Sequence, residues 1–365
     1  MAQKKRKILF AAVDIGWRIE HYCKFIQERF PNELDADSFV KYYLPKKHYD
    51  TNYTYMYNFQ EKSTFYGWFV SFYFFIVSLF KYDIFHFFSG ETLLTRKLRR
   101  FEFFIYKLLG KKIILHFVGT DIRCIDYVLW KEKNIHQYLK GNISHDTSLP
   151  WQKKLIKDAR KYADSILVST PDLLDIIPEA RYYPVVLDIE KFKLDLNNVK
   201  PNIKNPNKIV ILHAPSNIDM KGTRIIHKVL KEIEKESNGS VELKLMADKD
   251  EKYDRVYTVS RYDLLNLYME ADIVVDQLII GWYGLQAVEA LLSNNKVISY
   301  IDNRYKKYLY ANCPIYSADA NTLKSVVYQC IEDIKNGIDN ENLEWINHYH
   351  TIEKNNERLI QAWME

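Results

Sequence analysis

Residues 271–301 read ADIVVDQLIIGWYGLQAVEALLSNNKVISYI. The stretch opens on a short β-branched run, 271–277, and passes through the turn IIGWYG into an apolar helical pattern that holds one carboxylate, Glu289. A second β-branched run, NKVISYI (295–301), follows a polar break. Strand, helix and strand in this order form the unit of a parallel sheet, whose crossovers need a helix-length connection. The glycines sharpen the reading. The chain has 11 glycines in 365 residues, about 3% where soluble proteins average roughly 7%. Two of them, Gly281 and Gly284, share this one turn.

The same alternation continues toward the N-terminus. KIVILHA (208–214), VELKLMA (241–247) and RVYTVS (255–260) read as strands, and RIIHKVLKEIEKE (224–236) as an amphipathic helix. Further out, KILFAAV (7–13), DIFHFF (83–88), KIILHFV (112–118) and DSILVST (164–170) make another strand series. The two series meet over residues 182–209, where Pro184, Pro201 and Pro206 punctuate a polar Asn/Lys stretch without apolar periodicity. A chain of 365 residues has room for two cores. The expected fold is α/β, with two doubly wound, Rossmann-like domains facing a cleft. Their expected bounds are 1–187 and 188–340, with helices over 341–365 packing back toward the first domain.

A composition of 47% hydrophobic and 27% charged residues is that of a globular chain. The net charge of +5 hides an asymmetry: residues 1–164 carry 28 Lys+Arg against 17 Asp+Glu, and the remainder 24 against 30. A basic first half suits an anionic partner. Cys23, Cys124, Cys313 and Cys330 show neither zinc-ligand nor disulfide-frame spacing and read as reduced thiols. The start, MAQKKRKILFAAVDIG, reads as a first strand, since its apolar run is too short for a signal peptide; a cytoplasmic protein is expected.

The run FYGWFVSFYFFIVSLF (65–80) falls short of a spanning helix. It is expected to be a buried helix, with interfacial membrane contact as the alternative its aromatics favour. Nearby, TRKLRRFEFFIYKLLGKK (95–112) sets Arg96, Lys97, Arg99 and Arg100 beside aromatic residues, as in a helix lying on an anionic membrane. No basic run matches a nucleic-acid reading element, so no nucleic-acid partner is expected. P-loop, zinc-protease and serine-hydrolase motifs are absent.

Gly16, Gly90, Gly119 and Gly284 all follow closely after an expected strand, and Gly222 ends the loop after 208–214. Ligands of open α/β sheets bind beyond the carboxyl ends of the strands, where glycine lets the backbone approach them. A helix beginning near Tyr283 or Gly284 would offer free N–H groups and a positive dipole end to a phosphate. Glu289, among Ala287, Val288, Ala290, Leu291 and Leu292, can accept two hydrogen bonds from a vicinal diol such as a ribose.

GWYGLQAVEA (281–290) resembles the signature helix of retaining, two-Rossmann-domain (GT-B) glycosyltransferases of the GT4 type. Tyr283, Gly284, Leu285, Glu289 and Ala290 match it. The resemblance implies that Glu289 holds the nucleotide ribose. Gly281 stands where that family has a first acid toward the donor sugar, and Asp276 or Gln277 is near enough in sequence to supply a polar contact. HAPSNIDMKGT (213–223) is similar to the family's pyrophosphate loop: Lys221 matches the family Lys, Ser216 stands in place of its Arg, and Arg224 could compensate. In ILHFVGTDIR (114–123), His116 resembles the residue that hydrogen-bonds the transferred sugar, with Gly119, Thr120, Asp121 and Arg123 lining the same rim. Gly16 would approach the acceptor or the diphosphate, and Ser260 and Arg261 the base.

The resemblance implies a hexosyltransferase-like enzyme that moves sugar from a nucleotide diphosphate sugar, without cofactor or metal. The aromatic, basic first domain suggests a cell-envelope or lipid-linked glycan as acceptor, and an anionic membrane surface as a further partner. The DxD at Asp248–Asp250, a metal-binding pattern in another glycosyltransferase architecture, is expected to be a chance acidic loop. Two other readings use the same fold: a catalytically silent subunit that binds a partner or glycan, and a sugar-nucleotide epimerase.

Overall fold

The structure, a computed structural model, describes residues 5–14, 18–42, 53–58, 64–134, 149–201, 205–246, 259–338 and 342–364. The chain divides into two compact units. One comprises Met1–Arg123, Ser148–Val186 and Ile352–Glu365, the other Cys124–Thr147 and Leu187–Thr351. Neither is a continuous stretch. The segment after Arg123 leaves the first unit because Val128 is buried against Met220 and Ile279 of the second.

In the first unit, seven strands form an all-parallel sheet: β1 (Arg6–Ala12), β2 (Leu34–Tyr42), β3 (Tyr55–Asn58), β4 (Ile84–Phe88), β5 (Lys112–Phe117), β6 (Ser165–Val168) and β7 (Arg181–Tyr182). Their spatial order is β3-β2-β1-β4-β5-β6-β7, the doubly wound order that reverses between β1 and β4. Alternate residues of β1 feed opposite faces. Leu9 and Ala11 pack with α2 (Thr64–Lys81), α3 (Arg99–Leu108) and α5 (Pro150–Tyr162). Ile8 and Phe10 pack with α1 (Arg18–Arg29) and α13 (Ile352–Met364).

The second unit holds β8 (Ile209–His213), β9 (Val241–Leu245), β10 (Ile273–Val275), β11 (Lys296–Ser299) and β12 (Ile315–Ser317), again all parallel, in the order β12-β11-β10-β8-β9. Around it run α4 (Ile125–Lys133), α6 (Ile189–Asn197), α7 (Ile218–Lys221), α8 (Thr223–Glu236), α9 (Arg261–Glu270), α10 (Leu285–Leu292), α11 (Leu323–Lys335) and α12 (Asn342–Tyr349). Ile226, Leu230 and Ile233 of α8 lie one helical turn apart and are fully buried, each worth about 2 kcal/mol of transfer free energy. The expected run 255–260 falls mostly outside the described residues, and Val259 and Ser260 are not in a strand.

Two expectations for the first unit change. The aromatic run 65–80 is a helix, but only one face of it is buried, through Ser71, Phe74, Phe75, Ser78 and Leu79. The basic quartet is largely engaged within the protein. Arg99 is buried and donates to the Gly90 carbonyl, so it is not available to a membrane. Arg100 makes two bonds to Asp158, and Arg96 pairs with Glu91 and lies over the Trp151 ring. Lys97 is exposed.

Candidate functional site

In the second sheet the strand order reverses between β8 and β10. That is the switch point at which ligands of this strand order bind, beyond the carboxyl ends of the strands. Two loops meet there: 214–222 after β8 and 276–284 after β10.

The first loop is fixed by His213, which is fully buried. Its Nδ1–H donates to the Val275 carbonyl at 2.8 Å, so its Nε2 accepts from the Thr223 hydroxyl at 3.0 Å. Burial pushes the ring's pKa down to about 3, and the ring stays neutral. At Gly222 φ is +73°, and a Cβ would lie 2.7 Å from Ile279 Cγ1. The loops therefore approach closely only because residue 222 has no side chain. The Leu278 amide donates to the Lys221 carbonyl at 3.0 Å and locks that approach.

The second loop is wound around the buried side chain of Gln277. Its Oε1 accepts from the amides of Ile279 and Ile280, and its Nε2 donates to the Trp282 and Tyr300 carbonyls and to Ser299 Oγ. At Gly281 φ is +93°, and a Cβ there would stand 3.0 Å from the Asp302 Cβ. A side chain at 281, such as the acid of the resembled signature, would be strained by the positive φ and would press on Asp302.

Lys221 Nζ is ion-paired with Asp276 Oδ1, and the Gly284 amide donates to Asp276 Oδ2 at 3.3 Å. Asp276 is fully buried. One internal carboxylate therefore sits on both groups expected to hold a diphosphate. Lys221 keeps 11% side-chain exposure. Gly284 is the N-cap of α10 and offers no capping side chain, while Leu285 and Gln286 of the first turn are half-buried. The first-turn amides of a helix have no intrahelical acceptors, and the positive end of the dipole favours an anion beside them. Gln286 spends its amide on the Ala214 carbonyl and joins the two loops again.

One turn into α10, Glu289 is 3% exposed. Its Oε1 accepts from Arg261 Nη1 at 2.7 Å, and its Oε2 from the Tyr268 hydroxyl at 3.3 Å. Burial raises its pKa above the ordinary carboxylate value, against the pull of Arg261. The Arg261 guanidinium also lies 5.2 Å over the Phe192 ring. Ser260 caps α9 by accepting from the Asp263 amide.

Lys221, Gly222, Gly284 and Leu285 thus come together at the switch point, and Ser260, Arg261 and Glu289 gather one turn along α10. Ser216 is exposed in the first loop. Arg224 points elsewhere, with Nη1 on Glu132 and Nη2 on Asp219, so it does not stand in for the family Arg. Tyr283 is buried with its hydroxyl against His350, and contributes to packing. Gly16 and the Asp248–Asp250 pattern lie outside the described residues.

In the first unit, His116 is inside the sheet, not on its rim. Trp363 Nε1–H donates to His86 Nδ1 at 3.1 Å, so His86 Nε2–H points to His116 Nδ1 and His116 Nε2–H points to Ser169 Oγ at 3.0 Å. Both nitrogens of His116 are spent on protein, and burial holds its pKa well below the usual value. It does not bind sugar from this position. Asp121 accepts from the amides of Val118, Gly119 and Ile122 and closes its own turn. Arg123 makes a two-bond pair with Asp172 and also bonds Thr170. Thr120 is exposed, and its carbonyl accepts from Gln152.

No family model and no curated protein matches this chain. Solved structures do match it along its whole length. Sucrose-phosphate synthase from Thermosynechococcus elongatus aligns with TM-score 0.56 and 11% identity, over 99% of this chain and 98% of its own. HepE from Anabaena, solved in complex with UDP-glucose, aligns with TM-score 0.56 and 12% identity, over 98% and 99%. A UDP-N-acetylglucosamine 2-epimerase aligns with TM-score 0.51 and 12% identity, over 98% and 95%. The fold is GT-B: two parallel, helix-flanked, Rossmann-like sheets. Its structural neighbours include a glycosyltransferase from Rickettsia africae, with TM-score 0.55 and 12% identity over the whole of both chains.

Proposed function

We propose that the chain is a glycosyltransferase whose second unit takes a nucleotide diphosphate sugar. The observation that carries this reading is the start of α10, whose N-cap Gly284 brings no capping side chain of its own, beside Lys221 at the β8/β10 switch point and one turn from the Glu289–Arg261 pair. Lys221 and the α10 amides would meet the charge that develops on the leaving diphosphate. Glu289 would hold the ribose and Arg261 would lie toward the base. In a retaining, front-face transfer of the GT4 type, the leaving oxygen takes the acceptor proton, so no side-chain nucleophile and no metal is called for. The first unit would hold the acceptor, a cell-envelope or lipid-linked glycan, in the cytoplasm at the inner face of a membrane.

Incubation with UDP-, GDP- and ADP-sugars tests the reading. Release of nucleotide diphosphate from one donor is expected, and its loss in Glu289→Gln and Lys221→Met. Turnover that survives both substitutions would overturn the site. Asp276 beside Lys221 favours one rival, a silent subunit, since an anion already neutralises the only cation the loop offers. That rival requires donor binding without release. An epimerase, as among the structural neighbours, would change the sugar with no acceptor present.

A further inference from the structure

Helix α2 carries an apolar face that the described residues of the first unit leave exposed. Phe65, Tyr66, Trp68, Phe69, Phe72, Tyr73, Ile76 and Phe80 are all exposed, Phe65 and Phe80 by 86%. At 100° per residue they fall within an arc of about 160°, so they form one face and not a scatter. A contiguous apolar surface of this kind marks an interaction site. No described helix is long and apolar enough to cross a membrane.

The charges beside this face indicate what covers it. Helices α2, α3 and α5 form one layer on the same side of the first sheet: Phe74, Phe75, Phe103, Tyr106, Leu155 and Ile156 share a core. Phe75 also meets Phe101 and Tyr106 of α3. On the outward sides of α3 and α5 every exposed charge is a cation: Arg100, Lys107, Lys153, Lys154, Lys157, Arg160 and Lys161. The acids of these helices, Glu102 and Asp158, are buried. Arg100, Lys107 and Arg160 are paired with Asp158, Asp164 and Glu179, whereas Lys153, Lys154 and Lys157 reach no acid among the described residues. Phe101, Phe104 and Leu108 of α3 are exposed too, and Phe101 meets Phe75 of α2. An aromatic strip in the same helical layer as exposed lysines matches a bilayer interface, where rings sit at headgroup level and cations meet anionic lipid.

We propose that the exposed face of α2, with the lysine ridge of α5 in the same helical layer, is the surface by which this chain docks on an anionic lipid bilayer. The docking element is α2 and α5, in place of the 96–100 quartet, whose arginines are engaged internally. The proposal deepens the membrane part of the function reading and does not depend on the donor site.

The test uses the full chain and vesicles of phosphatidylcholine, with or without phosphatidylglycerol. Sedimentation with the anionic vesicles is expected, with little on neutral ones. About fivefold in partitioning per lysine is expected, so Lys153→Gln, Lys154→Gln and Lys157→Gln together should lower binding about a hundredfold. Phe69→Ser, Phe72→Ser and Phe80→Ser should abolish it with thermal unfolding unchanged, since these side chains are exposed. Brominated lipid should quench emission in wild type more than in Trp68→Phe. Equal sedimentation of wild type and either triple variant overturns the proposal. So does a dimer that the phenylalanine variant dissociates, if vesicles do not bind, because a second copy then covers the face. Nucleotide release measured on the same samples reports separately on the donor reading.

Discussion

Removing the carboxylate at 289 should damage the fold and the site by separable amounts. Glu289 is 3% exposed, and Arg261, the donor to its Oε1, has a side chain only 17% exposed. Breaking a buried ion pair by deleting one partner costs about 3–5 kcal/mol, mostly from the charge left behind. Arg261 keeps some solvent and its stacking on Phe192, so the lower end applies to Glu289→Ala, about 3 kcal/mol. In a unit of this size about 1 kcal/mol moves Tm by roughly 2–4 °C, which puts the expected drop near 6–12 °C. Glu289→Gln keeps an acceptor for Tyr268 and should lose less. The double variant Glu289→Gln, Arg261→Met removes both charges and should recover part of the loss, with a coupling of about 1–2 kcal/mol. The assay is scanning fluorimetry of wild type, these three variants and Arg261→Met alone, repeated with saturating donor. If the single effects simply add, the pair contributes nothing and the geometry is wrong. If Glu289→Gln retains the full donor-induced rise in Tm, Glu289 does not hold the ligand.

Gly281→Glu would restore the family acid in sequence but not in function: with φ at +93° and the Asp302 Cβ 3.0 Å from the new Cβ, a Tm loss of several degrees and no gain in turnover are expected. A folded, more active Gly281→Glu would contradict the loop conformation. Asp276→Asn should free Lys221 from its internal anion and tighten UDP binding, by about tenfold or 1.4 kcal/mol in calorimetry; weaker binding would show that Asp276 positions the lysine instead. Burial raises the Asp14 pKa from 3.8 to about 6, against hydrogen bonds from Tyr53, Arg18 and Ile19. A carboxyl whose pKa is raised by folding contributes stability below the unfolded value, and that contribution is lost as pH climbs through the folded one. Tm should therefore fall between about pH 4 and pH 6 from this group, and Asp14→Asn should flatten that part of the profile.

The parallel architecture was legible because most of its strands are near-continuous apolar runs, as strands covered on both faces are. Eight of the expected runs are strands of the two sheets. Those not expected are short or polar. β2 reads LDADSFVKY, where Asp35, Asp37 and Lys41 disguise the pattern although Ala36, Phe39 and Val40 are buried. β3, β7 and β12 have only two to four residues each. The switch-point site was legible in its turn and its helix start, since glycine scarcity and the lone acid in an apolar helix are local signals. What stayed hidden was pairing across loops. Nothing in sequence ties Asp276 to Lys221, 55 residues apart, or Arg261 to Glu289, 28 apart, and no spacing shows that Gln277 is the post around which the loop winds.

His116 shows the converse. A histidine at a strand end looks like a rim residue until Trp363, from the far end of the chain, fixes the tautomer of His86 and through it the direction of both His116 nitrogens. Helix α2 shows the limit of composition itself: an all-round apolar helix reads as buried, and only the packing of the described residues reveals that one face is left exposed.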